Sequence, residues 1–133
     1  MRAVDLVETA LAAHQRRESD SVVALYHPRA RLITISSRGD ALSAAETMAA
    51  VSAADDTMIY GFRPGAARAI DEHAAYSSGR VVRKGSDGGI TDSECVWLYT
   101  ERDGLIYRVA VYTTTEAAEE AYAQHGVTLG IDD

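Results

Sequence analysis

A chain of 133 residues has the length of one domain, and its 47% hydrophobic and 25% charged residues are typical of a globular protein. The net charge of −7 argues against a surface that binds nucleic acid or an anionic membrane, and no apolar segment is long enough to cross a bilayer. The single cysteine, Cys95, excludes an intrachain disulfide and favours a reducing compartment, so we expect a cytoplasmic protein.

The first half of the chain predicts three helices and one strand. Residues 4–18 predict an amphipathic helix, whose stripe at helical spacing consists of Val4, Val7, Leu11 and His14. Residues 18–28 predict a short second helix that ends at a proline. Residues 30–37 alternate and are rich in β-formers, which indicates the first strand. A capping box then begins an alanine-rich third helix over residues 42–56.

The second half of the chain changes to a hydrophobic period of two, which predicts strands. Residues 57–62 predict one strand, and residues 67–84 predict either a strand pair or one long bent strand after a turn or bulge. Residues 90–101 and 105–114 predict a hairpin, and residues 115–126 predict a closing helix. The sequence therefore predicts a single α+β domain spanning the whole chain, with helices first and a mostly antiparallel sheet after them.

The dipeptide Asp103-Gly104 predicts a type I′ turn, because both central positions of that turn need a positive φ. With these residues as the loop, Arg102 lies opposite Leu105 and alternate side chains share a face. One predicted face is aliphatic with polar ends and carries Glu94, Val96, Leu98, Thr100, Tyr107, Val109, Val111 and Thr113. Because the opposite face is not plainly polar either, we expect helices on one side and a partner subunit on the other. The predicted homodimer interface consists of Trp97, Tyr99, Arg108 and Tyr112.

The order of these elements resembles the SnoaL-like branch of the nuclear transport factor 2-like superfamily. The segments "ALYHPRARL" and "ERDGLIYRVAVYTTTEAAEEA" carry the resemblance, which covers nearly the whole chain. It implies a cone in which three N-terminal helices pack in the concave face of a curved, mostly antiparallel sheet, with a short C-terminal helix. It also implies a pocket for a small, mostly apolar organic molecule, no cofactor, and a homodimer. Because members of this superfamily include isomerases, cyclases, dehydratases and binding modules, the fold does not decide the function.

The catalytic positions of some relatives are substituted in this chain. Ketosteroid isomerase relatives use a tyrosine on the first helix, an acid on the first strand and an acid in the sheet; those positions hold Ala10, Thr34 and Val96. Many SnoaL-like chains also place an acid two residues after the final-strand tyrosine, and that position is Thr114. The resemblance therefore argues against a ketosteroid isomerase.

The carboxylates Asp92 and Glu94 lie two residues apart on a strand and share the face of Val96 and Leu98. A carboxylate at the end of an apolar row could act as a general base that removes a proton next to a carbonyl group. It could also act as a general acid that assists the loss of water. The alternative is that both acids are hydrated at the edge of the protein or paired with arginine. The sequence does not choose between these two arrangements.

Other side chains could complete such a site. His14, or else Tyr107, could hydrogen-bond a substrate oxygen; the alternative for His14 is a structural hydrogen bond to the backbone or to Glu18. Small hydroxyls on an inward strand face, tyrosine rings and the aliphatic row could line the pocket. The predicted ligand-binding residues are Thr34, Ser36, Tyr60, Val96, Leu98, Val109, Val111 and Thr113. The four histidines show no metal-ligand spacing, so we predict no metal site.

Two functions follow from these residues. The first is binding of a small, mostly apolar molecule, with cofactor-independent isomerase, cyclase or dehydratase chemistry attached to it. In that scheme Glu94 is the base, Asp92 its electrostatic neighbour, and His14 or Tyr107 the oxygen partner. The second is a non-catalytic ligand-binding or dimerisation module, which the substituted catalytic positions favour.

Overall fold

The structure is a computed structural model that describes residues 2–33, 40–52, 62–84, 88 and 90–131. For residues 62–64, 81–84 and 90–93 it describes the backbone alone. Within these ranges the α-helices are α1 (Ala3–Gln15), α2 (Ser19–Val23), α3 (Ala44–Ser52) and α4 (Thr115–His125), and a 3-10 turn, Gly126–Thr128, follows α4. The strands are β1 (Tyr26–Ile33), β2 (Phe62–Ala69), β3 (Ala74–Lys84), β4 (Ile90–Arg102) and β5 (Leu105–Tyr112).

The five strands form one sheet in the order β1-β5-β4-β3-β2. The pair β1–β5 is parallel, and the other three pairs are antiparallel. The predicted fold class, α+β with a mostly antiparallel sheet, is therefore confirmed. Residues 67–84 belong to two strands, so the predicted strand pair is correct, and the predicted bulge lies between Pro64 and Ala67.

The first strand begins earlier than predicted. Helix α2 ends at Val23 and β1 starts at Tyr26, which pairs with Ile106. The pairing of β1 with β5 is irregular between Tyr26 and Arg31. Pro28 lies in that irregular stretch. Because proline has no backbone N–H to donate to a neighbouring strand, it is tolerated where the regular pairing is interrupted. The proline that seemed to end a helix thus sits inside an irregular edge strand.

Two helix starts follow the sequence rules. Ahead of α3, Ser43 N donates to Glu46 Oε1 (2.9 Å) and Glu46 N donates to Ser43 Oγ (3.1 Å), which is the predicted capping box. Ahead of α4, Thr114 Oγ1 accepts a hydrogen bond from Ala117 N (3.1 Å). Both caps satisfy backbone N–H groups that have no partner inside the helix.

The β4–β5 hairpin contains a bulge that the sequence did not predict. Asp103 and Gly104 have φ of 56° and 75°, as the predicted turn requires, and Arg102 pairs with Leu105. The register then shifts, because Thr100 pairs with Arg108 and Tyr107 is the additional residue of β5. The predicted register is therefore wrong from this point onward by one residue.

The bulge decides which side chains of β5 share a face with those of β4. The inner face of the sheet, which packs against α1, carries Cys95, Trp97, Tyr99, Val109 and Val111. The outer face, which packs against α4 and the segment after it, carries Val96, Leu98, Ala110 and Tyr112. The prediction that Val96 and Leu98 lie beside Val109 and Val111 is wrong, because a one-residue shift moves a strand's side chains to the opposite face.

The turn between β2 and β3 joins several elements. The Glu72 carbonyl accepts from Ala3 N at the start of α1 (3.0 Å), and the His73 carbonyl accepts from Glu101 N of β4 (2.9 Å). The Asp71 carboxylate accepts hydrogen bonds within the turn and from the Tyr122 hydroxyl of α4. This turn therefore connects α1, on the inner face of the sheet, and α4, on the outer face, to the strands.

Candidate functional site: the interior of the cone

Several predicted site residues lie away from the inner face. Glu94 follows the outer-face parity of Val96 and Leu98, its side chain is 83% exposed, and its Oε1 lies 4.0 Å from Arg80 Nη1. Of the two arrangements that the sequence left open for Glu94, the one with the carboxylate facing the cone is not observed. The backbone of Asp92 pairs with Val82. Glu94 has the arrangement that was the alternative, a carboxylate in water next to an arginine.

Tyr107 lies on the side of Arg108, below the guanidinium groups of two arginines. Its hydroxyl accepts from Arg102 Nη1 (2.9 Å) and Arg108 Nη2 (3.2 Å), and the Arg108 guanidinium carbon lies 3.9 Å from the ring centre. The ring of His27 meets it edge-on at 5.3 Å. Tyr107 is buried in this outer cluster, so the structure does not bring it together with His14 or the inner face.

The predicted dimer patch is not formed. Trp97 and Tyr99 are buried against α1, and Tyr112 is half-buried on the outer face. Arg108 is fully buried, and its Nη1 donates to the carbonyl oxygens of Arg29 (2.8 Å) and Tyr107 (3.1 Å). These four side chains therefore do not share an exposed surface. The prediction grouped them by assuming regular alternation along β5, and the bulge shifts that alternation by one residue.

The other predicted residues have mixed positions. His14 lies half-buried in the last turn of α1, and Thr113 is exposed just after β5. Thr34, Ser36 and Tyr60 lie outside the described residues. Val109 and Val111 are on the inner face, as predicted for pocket residues, but with different neighbours.

The inner face is lined by aromatic and small side chains. Trp97 and Tyr99 of β4 are 9% and 7% exposed, and Tyr26, the first residue of β1, is 9% exposed. Helix α1 covers them with a buried stripe that consists of Ala3, Leu6, Val7, Ala10, Leu11 and Ala13. Three of these six side chains are alanines, which occupy little volume beside the aromatic rings.

Most polar groups on or beside the inner face have protein partners. The Ser77 hydroxyl donates to the Gly65 carbonyl (2.9 Å), and the Thr47 hydroxyl accepts from Leu32 N (3.2 Å). The hydroxyls of Tyr26 and Tyr99 differ, because neither makes a hydrogen bond with any described residue. Among the inner-face side chains that the structure describes, these two phenol hydroxyls therefore have no protein partner.

The two hydroxyls must also reach open space. Among the described residues, no fully buried side-chain oxygen or nitrogen lacks a hydrogen-bond partner. Since the hydroxyls of Tyr26 and Tyr99 have no such partner, they cannot be fully enclosed by protein atoms and must contact space that admits a water molecule.

Burial also fixes the protonation of this site. Burial raises the pKa of Tyr26, and burial together with the charge that Tyr26 would carry raises the pKa of Tyr99. Both phenols stay neutral and can donate a hydrogen bond across the physiological range. Burial likewise raises the pKa of the Cys95 thiol, which makes that inner-face group a poor nucleophile.

Comparison with solved structures supports the fold. No protein-family model matches the chain. No curated protein is significantly similar to it. An NTF2-like protein from Burkholderia thailandensis E264 is 17% identical, and the superposition covers 90% of this chain and 97% of that one with a TM-score of 0.67. The chain has the nuclear transport factor 2-like fold. An uncharacterised cystatin fold protein from Novosphingobium aromaticivorans is 18% identical, with coverage of 84% and 98% and a TM-score of 0.64.

The nuclear transport factor 2-like fold is also found in a Sinorhizobium meliloti protein that is provisionally named a polyketide cyclase. That protein is 17% identical, and the superposition covers 81% of this chain and 94% of that one with a TM-score of 0.62. In the described part of this chain, no group of three or more potential metal ligands occurs, and no helix there is long and apolar enough to span a bilayer.

Sequence reasoning missed the tyrosines inside this nuclear transport factor 2-like cone. Tyr26 fell within the predicted second helix, and Tyr99 fell on the face assigned to a partner subunit. The sequence did contain a signal for this face, namely the odd-numbered row Cys95, Trp97 and Tyr99. Large aromatic side chains beside a small thiol fit a sheet face covered by a helix as well as they fit a subunit interface. Only the bulge at Tyr107 joins that row to Val109 and Val111.

Proposed function

We propose that this protein binds a small, mostly apolar and uncharged organic molecule inside the cone, between α1 and the inner face of the sheet. The observation that carries the proposal is the pair of phenol hydroxyls of Tyr26 and Tyr99, which have no described protein partner and contact open space. The buried inner-face cluster of β4 and β5 contains the apolar and aromatic side chains of Cys95, Trp97, Tyr99, Ile106 and Val109. An uncharged ligand fits such walls, because burial of an unpaired charge is strongly unfavourable.

The single tryptophan supplies the assay. Trp97 lies on the inner face, so its fluorescence should transfer energy to an uncharged apolar dye such as N-phenyl-1-naphthylamine that enters the cone. We expect saturable transfer with one site and an increase in Tm, because a ligand that binds only the folded state stabilises it. Transfer that does not saturate up to the solubility limit of the dye, with the protein folded by circular dichroism, would contradict the proposal.

A matched pair of variants locates the dye. Ala10→Leu adds volume to the buried side of α1, whereas Ala123→Leu makes the same change at an exposed position of α4. We expect the first variant to weaken dye binding and the second to leave it unchanged. Circular dichroism checks that the Ala10 variant folds, since overpacking a core costs about 1–3 kcal/mol.

Acid–base chemistry is a second candidate, favoured by the provisional cyclase name of the Sinorhizobium meliloti protein. Of the four predicted catalytic residues, His14 is the one that lies on the helix covering the inner face. The proposed reaction is an isomerisation, cyclisation or dehydration with His14 as the proton-transfer group. A His14→Gln variant that keeps full turnover of a substrate found by the binding screen would refute this second candidate.

The homodimer and the cytoplasmic location are separate proposals. The dimer would use the part of the outer face around the half-buried Tyr76 and Tyr112, which carries no residue of the inner site. Light scattering over a dilution series measures it, and a monomer at every concentration would refute it. The location is supported by the single cysteine, which fits a reducing compartment.

A further inference from the structure

We infer that His73 and Glu101 form a proton-dependent latch at the end of the sheet where α1 begins, and that this latch controls how fast a ligand leaves the cone. The latch is closed while the His73 imidazole is protonated and weakens when the proton is lost. The second half of the inference rests on the proposed function, because it concerns release of the molecule that enters the cone. The first half depends on no ligand.

The Glu101 carboxylate joins two turns at this end of the sheet. Its Oε1 contacts Nδ1 of His73 in the β2–β3 turn, and its Oε2 accepts from the backbone N–H of Gly104 in the β4–β5 turn (3.0 Å). The His73 carbonyl also accepts from Glu101 N (2.9 Å). The Glu101 side chain is 12% exposed, whereas that of His73 is 52% exposed. Solvent therefore reaches the imidazole, while the carboxylate stays mostly inside the protein.

The β2–β3 turn also holds the start of the helix that covers the cone. The carbonyl of Glu72, the residue before His73, accepts from the backbone N–H of Ala3, the first residue of α1 (3.0 Å). Ala3 is buried and belongs to the same cluster as Tyr26 and Trp97 of the inner face. When the turn is held less firmly, the first turn of α1 opens more often, since local opening follows the number and strength of local contacts. We therefore expect ligand release to follow the state of the latch.

In the described part of the chain, the charged groups that act on His73 are all acidic. The hydrogen bond with Glu101 has the largest effect on the pKa of His73 and raises it, and the charges of Glu101, Glu72 and Asp71 act in the same direction against a smaller effect of burial. From α4, the Tyr122 hydroxyl bonds Asp71 (2.8 Å). The latch is therefore complete below the unfolded pKa of about 6.5 and weakens as the pH rises through the folded value.

Hydrogen exchange measured by NMR tests the latch without a ligand. The experiment follows the titration of the His73 imidazole and the protection of the Ala3 and Gly104 amides between about pH 5 and 8. Each exchange rate is divided by the intrinsic rate at the same pH. We expect the protection of both amides to fall by about threefold across the His73 titration, which is the effect of losing one partly exposed ion pair.

Three variants assign the effect to the latch. His73→Gln keeps a hydrogen-bond donor without a titrating charge, and Glu101→Gln removes the charge of the partner, so each should abolish the pH dependence. His125→Gln should behave as the wild type, because His125 is an exposed histidine at the end of α4. All three variants keep His14 and His27, whose side chains are of the type that titrates in this range.

Stopped-flow dilution of the complex with N-phenyl-1-naphthylamine tests the control of release. This dye stays uncharged over the same pH range, so its own charge does not change. Energy transfer from Trp97 reports how fast the dye leaves. We expect the dissociation rate to rise by about threefold as the pH increases in the wild type and in His125→Gln, and to stay constant in His73→Gln.

Each other outcome overturns a stated part. Amide protection that does not follow the His73 titration, or that changes equally with pH in His73→Gln, would show that there is no latch. Constant dye release with pH-dependent protection would overturn control of the cone. If the dye does not bind the folded protein, the proposed function fails, and amide protection still decides about the latch. If His73→Gln and Glu101→Gln do not fold, the midpoint of wild-type protection decides, because it must match the NMR midpoint of His73 and not that of another histidine.

Discussion

The hydrogen bond between Tyr122 and Asp71 offers the sharpest test of how the sheet holds its last helix. The Tyr122 hydroxyl lies 2.8 and 3.0 Å from the two carboxylate oxygens of Asp71. Asp71 Oδ1 also accepts from the backbone N–H groups of His73 (2.8 Å) and Ala74 (3.0 Å), which closes the β2–β3 turn. We therefore expect Tyr122→Phe to destabilise the protein by detaching α4 from that turn.

The magnitude follows from the type of bond and its exposure. Hydrogen bonds to charged groups stabilise proteins by about 1.5–3 kcal/mol, but Asp71 is exposed, so we expect about 1 kcal/mol for the loss of the hydroxyl. Asp71→Asn should cost about 1–2 kcal/mol, because it also weakens the bonds inside the turn. In the double variant the two effects should fall short of their sum by about 1 kcal/mol, since both remove the same interaction.

Urea denaturation at several pH values measures these effects. Burial alone would raise the pKa of Asp71, but the hydrogen bonds from Tyr122, His73 and Ala74 outweigh it and lower the pKa. A lowered folded-state pKa means that the stabilisation is present above the unfolded pKa of about 3.9 and is lost as the pH falls through the folded value. The difference between wild type and Tyr122→Phe should therefore shrink in acid. A difference no larger than that of the control Tyr112→Phe, or one that is unchanged in acid, would refute the reasoning.

Three further predictions concern the turn, the sheet and the outer core. The hydrogen bond that the His73 imidazole donates to the Glu101 carboxylate raises the pKa of His73. The stabilisation from this bond is therefore complete below the unfolded pKa of about 6.5 and is lost as the pH rises through the folded value. His73→Gln should abolish that pH dependence in urea denaturation between about pH 5 and 8. Gly65→Ala should lower stability by about 1–3 kcal/mol, because an added Cβ would lie 2.6 Å from the Ser78 carbonyl oxygen; an unchanged denaturation midpoint would contradict the close approach. Leu98→Ala should cost about 2–5 kcal/mol in unfolding free energy yet leave dye binding to the cone intact, because Leu98 lies on the outer face; loss of binding in a folded variant would place it inside.

Local chemistry explains why much of the fold was predictable. The capping box of Ser43 and Glu46 and the turn at Asp103 and Gly104 depend on a few neighbouring residues, whose preferences the sequence displays directly. The order of helices and strands followed from hydrophobic periods in the same way. These features need no knowledge of what packs against them.

The candidate site could not be predicted in the same way, because it depends on packing between distant strands. The bulge at Tyr107 has no local signature in "GLIYRVAV". It comes with burial of Arg108, whose guanidinium donates to the backbone carbonyl groups of the distant residues Arg29 and Ile131. Tyr26 was read as helical because the proline two residues later resembles a helix end. Its pairing with β5, at a sequence separation of about eighty residues, decides otherwise.

The bulge at Tyr107 has a consequence for comparing this chain with other chains of the same fold. An ungapped alignment to a relative whose last strand has no extra residue would match Val109 and Val111, which face the interior, to side chains that face the exterior. Conserved ligand-contacting positions would then be assigned to the wrong half of β5. An alignment with a one-residue gap at Tyr107 instead matches inward-facing residues to inward-facing residues. Conversely, deleting Tyr107 would make β5 regular, because Glu101 would still pair with Ile106 and Thr100 with Arg108, so Val109 would keep the inner face and Arg108 the outer one.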